Sequence, residues 1–225
     1  MGAWDEFREI LAENQPLGKL TSLGVGGPAR WMASPRNPDE LGQLIRRARE
    51  ESIPFRIFGA GSNILVGEEG FPGLVLRLNA PHFSEIQVRG MQITAGAGVL
   101  LGELIGNACK ASASGLEAMV GIPGTVGGAL CGNSGGRTGD IGQHVHSVEV
   151  ISDAGVPNSL MRADIRFGYR QSSLYDSVIL NATFDLVEDD PEVIVRRIKK
   201  IWIAKSDPAA GSPNRSATSF AIPAA

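Results

Sequence analysis

The sequence has few of the residues that build metal sites or disulfide frameworks. Two cysteines, Cys109 and Cys131, and three histidines occur among 225 residues. The cysteines are too far apart for a CxxC motif, and no histidine stands at a metal-ligand spacing from them, so we predict free thiols and no metal site. The motif GK[ST] is also absent, which excludes a Walker A phosphate loop.

Long apolar runs and a strong excess of charge are missing as well. The N-terminal stretch MGAWDEFREILAEN is acidic where a signal peptide needs a basic start, and no later stretch approaches the length of a membrane span. The net charge of −3 gives no chain-wide footprint for nucleic acid or anionic lipid. We therefore expect a cytoplasmic protein with neither nucleic acid nor membrane as a partner.

Apolar periodicity predicts an α+β protein. Helices are expected over residues 4–13, from Asn37 and Pro38 onward, over 99–113, and over PEVIVRRIKKIWIAK near the C-terminus. Strands are expected at PFRIFG, LVLRLN, IQV, MQITAG, HSVEVIS and VILNATFDLV. This order of elements favours two sub-domains that meet near residue 80.

Three glycine-rich segments interrupt these elements: LGVGGPA, FGAGSNILV and GLEAMVGIPGTVGGALCGNSGG. Successive N–H groups of Gly59, Ala60, Gly61, Ser62 and Asn63 could form a concave donor cluster for a pyrophosphate; the alternative is a tight turn between core elements. The Rossmann fingerprint is not met, since Ile64 replaces its third glycine and no βαβ unit is predicted around the loop. Three such loops suit an extended ligand with phosphates and a flat ring, such as a dinucleotide.

Four segments together resemble the UDP-N-acetylenolpyruvoylglucosamine reductase (UDP-N-acetylmuramate dehydrogenase) family. They are TSLGVGGPAR (21–30), IFGAGSNILVGEEGFPGLVLRL (57–78), GLEAMVGIPGTVGGALCGNSGG (115–136) and FGYRQSSL (167–174). The resemblance implies an FAD-binding fold of the vanillyl-alcohol-oxidase type built from two sub-domains. It also implies that FAD is bound by residues 59–63 and by Ile122, Pro123, Gly124, Thr125, Gly127 and Gly128.

The same resemblance implies a flavoprotein oxidoreductase of peptidoglycan precursor synthesis, and hence roles in cell-wall biogenesis, cell shape and cell division. NADPH would supply hydride through FAD to the enolpyruvyl group of a UDP-sugar substrate. Arg170 matches the family's catalytic arginine, which would hold the substrate carboxylate; the alternative is a surface cation stacked on Tyr169. Aligning SATS (216–219) on the family's SAG[SC]-type loop makes Ser219 the proton donor; the alternative is a solvated loop residue.

The resemblance divides the chain into FAD-binding sub-domain 1 (1–80), FAD-binding sub-domain 2 (81–190), and a connecting helix that begins a truncated C-terminal substrate domain (191–225). No counterpart of that domain's catalytic glutamate is expected before Ala225, where the sequence stops. Two further hypotheses stay open. One is a flavin-binding domain without turnover, and the other is a different FAD oxidoreductase of the same fold.

Overall fold

Residues 4–136 and 138–206 are described by the computed structural model. The first part of the chain builds a four-stranded sheet in the order β1-β2-β4-β3, in which β2 and β3 run parallel to β4 and β1 is antiparallel to β2. Its elements are β1 (Leu11–Pro16), β2 (Pro28–Ala33), α1 (Pro38–Glu50), β3 (Phe55–Ile57) and β4 (Phe71–Leu76), with 3-10 turns at Asp5–Phe7 and Gly18–Leu20.

The start of α1 follows directly from its sequence. Asn37 stands at the N-cap, and its side chain accepts a hydrogen bond of 2.9 Å from the backbone N–H of Glu40, while Pro38 occupies the first turn. The predicted helix start is confirmed. Because β2 and β3 both pair in parallel with β4, the path β2–α1–β3 is a βαβ unit, and FGAGSN follows it. No helix lies between β3 and β4, so the prediction that no βαβ unit surrounds the loop is confirmed.

The prediction of a helix over residues 4–13 was wrong. Only Asp5–Phe7 form a 3-10 turn, and the chain then enters β1, whose pairing with β2 runs from Leu11 opposite Ala33 to Pro16 opposite Pro28. The apolar side chains of Trp4 and Phe7 are buried nonetheless. Strand pairing overrides a short amphipathic pattern because a single isolated helical turn or two is marginal on its own.

The second part of the chain builds a five-stranded antiparallel sheet in the order β11-β10-β14-β6-β5, flanked by helices. In chain order the elements are β5 (Ile86–Arg89), β6 (Gln92–Gly96), α2 (Leu101–Lys110), β7 (Ala113–Ser114), α3 (Val126–Cys131), β8 (Gly135–Gly136), β9 (Gly139–Asp140), β10 (Val145–Ile151), β11 (Pro157–Met161), β12 (Phe167–Gly168), β13 (Gln171–Ser172), β14 (Val178–Asp185), β15 (Val187–Glu188) and α4 (Pro191–Ser206). Short 3-10 turns occupy Pro81–Ser84, Glu117–Met119, Ile141–His144 and Arg162–Asp164.

A single large core joins both sheets, and a smaller apolar cluster lies under the first glycine-rich loops. The smaller cluster consists of Leu17, Ala29, Met32, Phe58 and Val75. Phe58 immediately precedes Gly59, and its backbone N–H donates to the carbonyl of Leu76 over 2.9 Å. The loop that follows β3 therefore starts from a fixed, buried anchor.

Candidate cofactor site

The loop of residues 59–63 leaves the end of β3 with a conformation that requires glycine. Gly61 has φ of +68°, and a side chain there would overlap the carbonyl oxygen of Leu20. Its own carbonyl accepts a 3.0 Å hydrogen bond from the N–H of Ser22. The protein itself, through Leu20, therefore occupies the space beside Gly61.

The loop before α3 is held by backbone hydrogen bonds to α2 and to the turn before it. The N–H of Val126 donates to Val99 over 2.8 Å, and the N–H of Leu101 donates to Gly124 over 3.0 Å. Thr125 occupies the N-cap of α3, where its hydroxyl accepts from the N–H of Gly128 over 3.4 Å. Helix α3 was not predicted from the sequence, because the glycines within it lower its helix propensity.

These two loops lie against each other. The hydroxyl of Ser62 donates a 3.2 Å hydrogen bond to the carbonyl of Pro123. A side chain on Gly59 would lie 2.8 Å from the hydroxyl of Thr125, and one on Gly124 would lie 3.2 Å from that of Ser62. The structure thus brings together most of the residues expected to bind FAD, and its glycines permit the close approach.

The joined loops carry several backbone N–H donors. Within residues 4–136 and 138–206, the N–H groups of residues 59–63, 124 and 125 donate no hydrogen bond to a protein acceptor. Unpaired main-chain donors at a loop junction form a cluster of partial positive charge that suits phosphate oxygens. We define these two loops, residues 59–63 and 121–128, as the cradle; its donors are groups that could hold a pyrophosphate such as that of FAD.

Two other glycines of the run tolerate a side chain less well. A side chain on Gly127 would meet Ala97 at 3.1 Å, and one on Gly121 would be strained by the backbone, which has φ of +74° there. At Gly128 the nearest atom would be the Thr125 hydroxyl at 3.5 Å, an ordinary contact, and Gly128 itself is exposed. Gly128 is therefore the cradle glycine where an added side chain would extend outward without first displacing the protein.

An ion pair joins helix α4 to Glu117, in the segment that leads into the cradle. Arg197 lies 2.8 Å from Glu117 and also pairs with Asp189, whose pKa this hydrogen bond lowers. Glu117 is buried and accepts from the Ser114 hydroxyl over 2.9 Å and from the Gly115 N–H over 2.6 Å. We missed this ion pair; a carboxylate inside an apolar, glycine-rich run was the signal for it.

A second fastening lies at the end of α4. The ammonium group of Lys205 donates to the carbonyls of Ala118 and Val120 over 3.1 and 2.7 Å. Burial lowers the pKa of Lys205, and the positive charge of Arg170 lowers it further. Lys205 and Arg170 therefore belong to one positively charged region, beside Gly121.

Arg170 lies at the tip of the two-residue hairpin between β12 and β13. It has φ of +55°, is exposed, and places its guanidinium carbon 5.9 Å from the ring centroid of Tyr169, which is 65% exposed. Both expectations for Arg170 are compatible with this position, since a substrate-facing cation and a stacked surface cation are both exposed. Ser219 lies outside the described residues.

Burial also shifts the pKa values of one thiol and one imidazole. Burial raises the pKa of the Cys131 thiol to about 11, and it lowers the pKa of the half-buried His144. In the part of the chain that the structure describes, no group of three or more His, Cys, Asp or Glu side chains could hold a metal ion. Among the same residues, no helix has both the length and the apolar character needed to cross a membrane.

Comparison with known proteins shows which proteins this chain is similar to. A family model described as an FAD binding domain matches residues 29–157, which include the first loop of the cradle and the start of α3. UDP-N-acetylenolpyruvoylglucosamine reductase of Rhodopirellula baltica is 38% identical over 219 residues, which cover 97% of this chain and 72% of that protein. Other curated reductases of the same name, 36–41% identical, are covered over 56–66% of their length.

Solved structures confirm the expected fold class. The UDP-N-acetylenolpyruvylglucosamine reductase of Thermus caldophilus superposes with a TM-score of 0.76 at 34% identity, over 92% of this chain and 71% of that one. 6-Hydroxy-D-nicotine oxidase of Arthrobacter nicotinovorans superposes with a TM-score of 0.58 at 17% identity, over 82% of this chain and 40% of that one. The second likeness concerns the fold alone, which is an α+β FAD-binding fold of the vanillyl-alcohol-oxidase type.

Proposed function

This chain belongs to the UDP-N-acetylenolpyruvoylglucosamine reductase family, and on that premise we propose that it acts in the NADPH-dependent reduction of UDP-N-acetylenolpyruvoylglucosamine to UDP-N-acetylmuramate. The observation that carries the proposal is the junction of the two cradle loops, whose N–H donors are unpaired within residues 4–136 and 138–206. A cytoplasmic location and roles in cell-wall biogenesis, cell shape and cell division are parts of the same proposal.

The cradle residues hold the pyrophosphate of FAD in this account. The N–H groups of residues 59–63, with those of Gly124 and Thr125 on the other loop, would donate hydrogen bonds to its oxygens. When bound, FAD carries hydride from NADPH to the terminal carbon of the enolpyruvyl group. Because backbone donors provide the partial positive charge, the cradle needs no lysine or arginine within residues 59–63 or 121–128.

Arg170 orients the substrate in the proposed reaction. Its guanidinium is always charged and presents a planar fork that matches a carboxylate. Its exposed position, within electrostatic range of the second cation Lys205, supports contact with an anionic ligand that arrives from solvent. As negative charge develops next to the substrate carboxylate, this positive region would stabilise it.

Ser219 donates the proton in the same proposal. Hydride arrives at the terminal carbon of the double bond, and the adjacent carbon then takes a proton from the Ser219 hydroxyl, which is restored from solvent. A serine hydroxyl is a weak acid, so this step requires neighbouring donors or a cation that stabilise its conjugate base.

Anaerobic stopped-flow absorbance tests the proposal on the FAD-loaded protein. NADPH should bleach the oxidised flavin, and UDP-N-acetylenolpyruvoylglucosamine should then restore its absorbance with formation of UDP-N-acetylmuramate. Bleaching without restoration would support the hypothesis of a flavin-binding domain without turnover. Restoration by other acceptors but not by this UDP-sugar would support a different oxidoreductase of the same fold.

A further inference from the structure

Asn133 is a buried polar residue that the proposed reaction does not use. It follows the C-cap residue Gly132 of α3, is 5% exposed, and has φ of +41°. Asparagine is one of the few residues other than glycine that adopt this left-handed conformation readily. Its backbone therefore turns the chain away from α3 while its side chain stays inside the protein.

The side-chain amide of Asn133 joins two separate segments. Its Nδ2 donates a 2.9 Å hydrogen bond to the carbonyl of Gly168, and its Oδ1 accepts a 3.1 Å hydrogen bond from the N–H of Gly142. A carbonyl can only accept and an N–H can only donate, so these partners fix the orientation of the amide. Neither bond survives replacement by glycine, and aspartate cannot make the first.

Gly168 is the last residue of β12, two residues before Arg170. The other strand of the hairpin is tied to the same end of α3, since the Ser172 hydroxyl donates to the carbonyl of Cys131 over 3.0 Å. Arg170 itself has a left-handed backbone conformation, which a residue with a long side chain keeps only when its surroundings hold it there. The hydrogen bonds of Asn133 with Gly168 and of Ser172 with Cys131 restrain the hairpin on both strands.

The opposite end of α3 belongs to the cradle. Thr125 caps the helix and Gly124 lies against Ser62, while α3 has six residues and is therefore roughly 9 Å long. One short helix thus connects the residues that hold the cofactor to the residues that hold the Arg170 hairpin. A short helix transmits position because its length and direction vary little.

We propose that Asn133 is a positioning residue: through its hydrogen bonds to Gly168 and Gly142 it fixes the Arg170 hairpin at a set distance from the FAD cradle. This inference rests on the proposed function for the role of Arg170, but not for the structural link itself. Asn133 does not contact the reacting atoms in this account. It determines the position of the Arg170 guanidinium.

Two variants separate the side-chain bonds from the backbone conformation. Asn133→Gly keeps the left-handed conformation and removes both bonds, and Asn133→Asp keeps the acceptor and removes the donor. Asn14→Gly is the matched control, because Asn14 is exposed and has φ of +51°. Asn133→Asp also serves if Asn133→Gly does not fold.

Amide hydrogen exchange of residues 166–174 in the FAD-loaded protein measures the hold on the hairpin. We expect exchange to be about tenfold faster in both Asn133 variants, as for a lost buried hydrogen bond, and unchanged in Asn14→Gly. The dissociation constant for FAD should stay within about twofold of wild type, since the cradle bonds remain. Unchanged exchange in folded Asn133 variants would overturn the proposal.

Reoxidation of the reduced flavin by the UDP-sugar measures the consequence for Arg170. Asn133→Gly should slow this step about tenfold, and should slow it little further in an Arg170→Lys background, because the guanidinium that Asn133 positions is then already absent. Full additivity would overturn the positioning role. If wild type is not reoxidised at all, the proposed function fails, and the exchange measurement alone then decides whether Asn133 holds the hairpin.

Discussion

The hydroxyl of Ser62 donates a hydrogen bond to the carbonyl of Pro123, and this contact joins two loops that are 61 residues apart in sequence. One loop follows β3 of the first sheet, and the other precedes α3, which packs on the second sheet. The cradle therefore forms only where the two sheets are docked together. Cofactor binding should consequently report on the docking of both parts of the chain.

Replacement of Arg170 by lysine should impair turnover far more than cofactor binding. Lysine keeps the positive charge but loses the planar fork, so the substrate carboxylate is less well oriented, by about tenfold to a hundredfold in rate. The dissociation constant for FAD and the rate of substrate-dependent flavin reoxidation are the quantities to compare. Arg166→Lys, an exposed arginine before the hairpin, is the control. Equal reoxidation rates in wild type and Arg170→Lys would remove Arg170 from the mechanism.

Ser219→Ala tests the proposed proton donor, which lies outside the described residues. NADPH should still bleach the flavin at the wild-type rate, because that half-reaction requires no proton from Ser219. Reoxidation by the UDP-sugar should slow by roughly a hundredfold or more, as expected for a lost general acid. Ser216→Ala, a serine three residues earlier, is the matched control. Wild-type reoxidation in Ser219→Ala would show that the alignment of SATS is wrong.

Removal of the buried carboxylate of Glu117 should destabilise the protein. Glu117→Ala leaves the N–H of Gly115 and the hydroxyl of Ser114 without their acceptor, which costs about 2–3 kcal/mol in the free energy of unfolding. Urea denaturation measures this change. Glu68→Ala, at an exposed glutamate, should change the free energy of unfolding by less than about 0.5 kcal/mol. Similar values for the two variants would contradict the role assigned to Glu117.

His144 should make stability depend on pH on the acidic side. Burial lowers its pKa in the folded protein, against the opposing effects of Glu117 and Asp140, so the unfolded chain binds a proton more readily. Its contribution to stability is complete above about pH 6.5 and is lost as the pH falls from there towards the folded pKa. The melting temperature of His144→Gln should therefore fall less than that of wild type on acidification. Parallel curves for wild type and His144→Gln would refute this assignment.

The sequence predicted the long elements and the identity of the cradle loops, but it did not predict the long-range bonds that hold them. The start of helix α1 was predictable from Asn37 and Pro38. The family motifs contain every cradle residue. Strand β1 was not predicted, because pairing with β2 rather than local propensity decides its conformation. The contact of Arg197 with Glu117 joins residues 80 positions apart, which no periodicity reveals.

The glycines also show which features can be predicted from the sequence and which require the structure. The resemblance implied that Gly61 and Gly127 bind FAD. In the structure the space beside Gly61 belongs to Leu20, and the space beside Gly127 belongs to Ala97. A sequence shows that glycine is present, but only the fold distinguishes a glycine that admits the chain itself from one that faces a ligand.

Titration of the protein with FAD, followed by melting temperature and visible absorbance, tests the central claim most directly. Gly128→Leu adds a side chain at the exposed face of the cradle, and Gly106→Leu adds one on α2, where no atom lies within 4 Å of the added carbon. Wild type and Gly106→Leu should bind FAD and gain about 2.7 kcal/mol of apparent stability when free FAD is a hundredfold above its dissociation constant. Gly128→Leu should fold and show no such gain. FAD binding that is equally tight in Gly128→Leu, or absent in wild type, would contradict the assignment of the cradle to FAD.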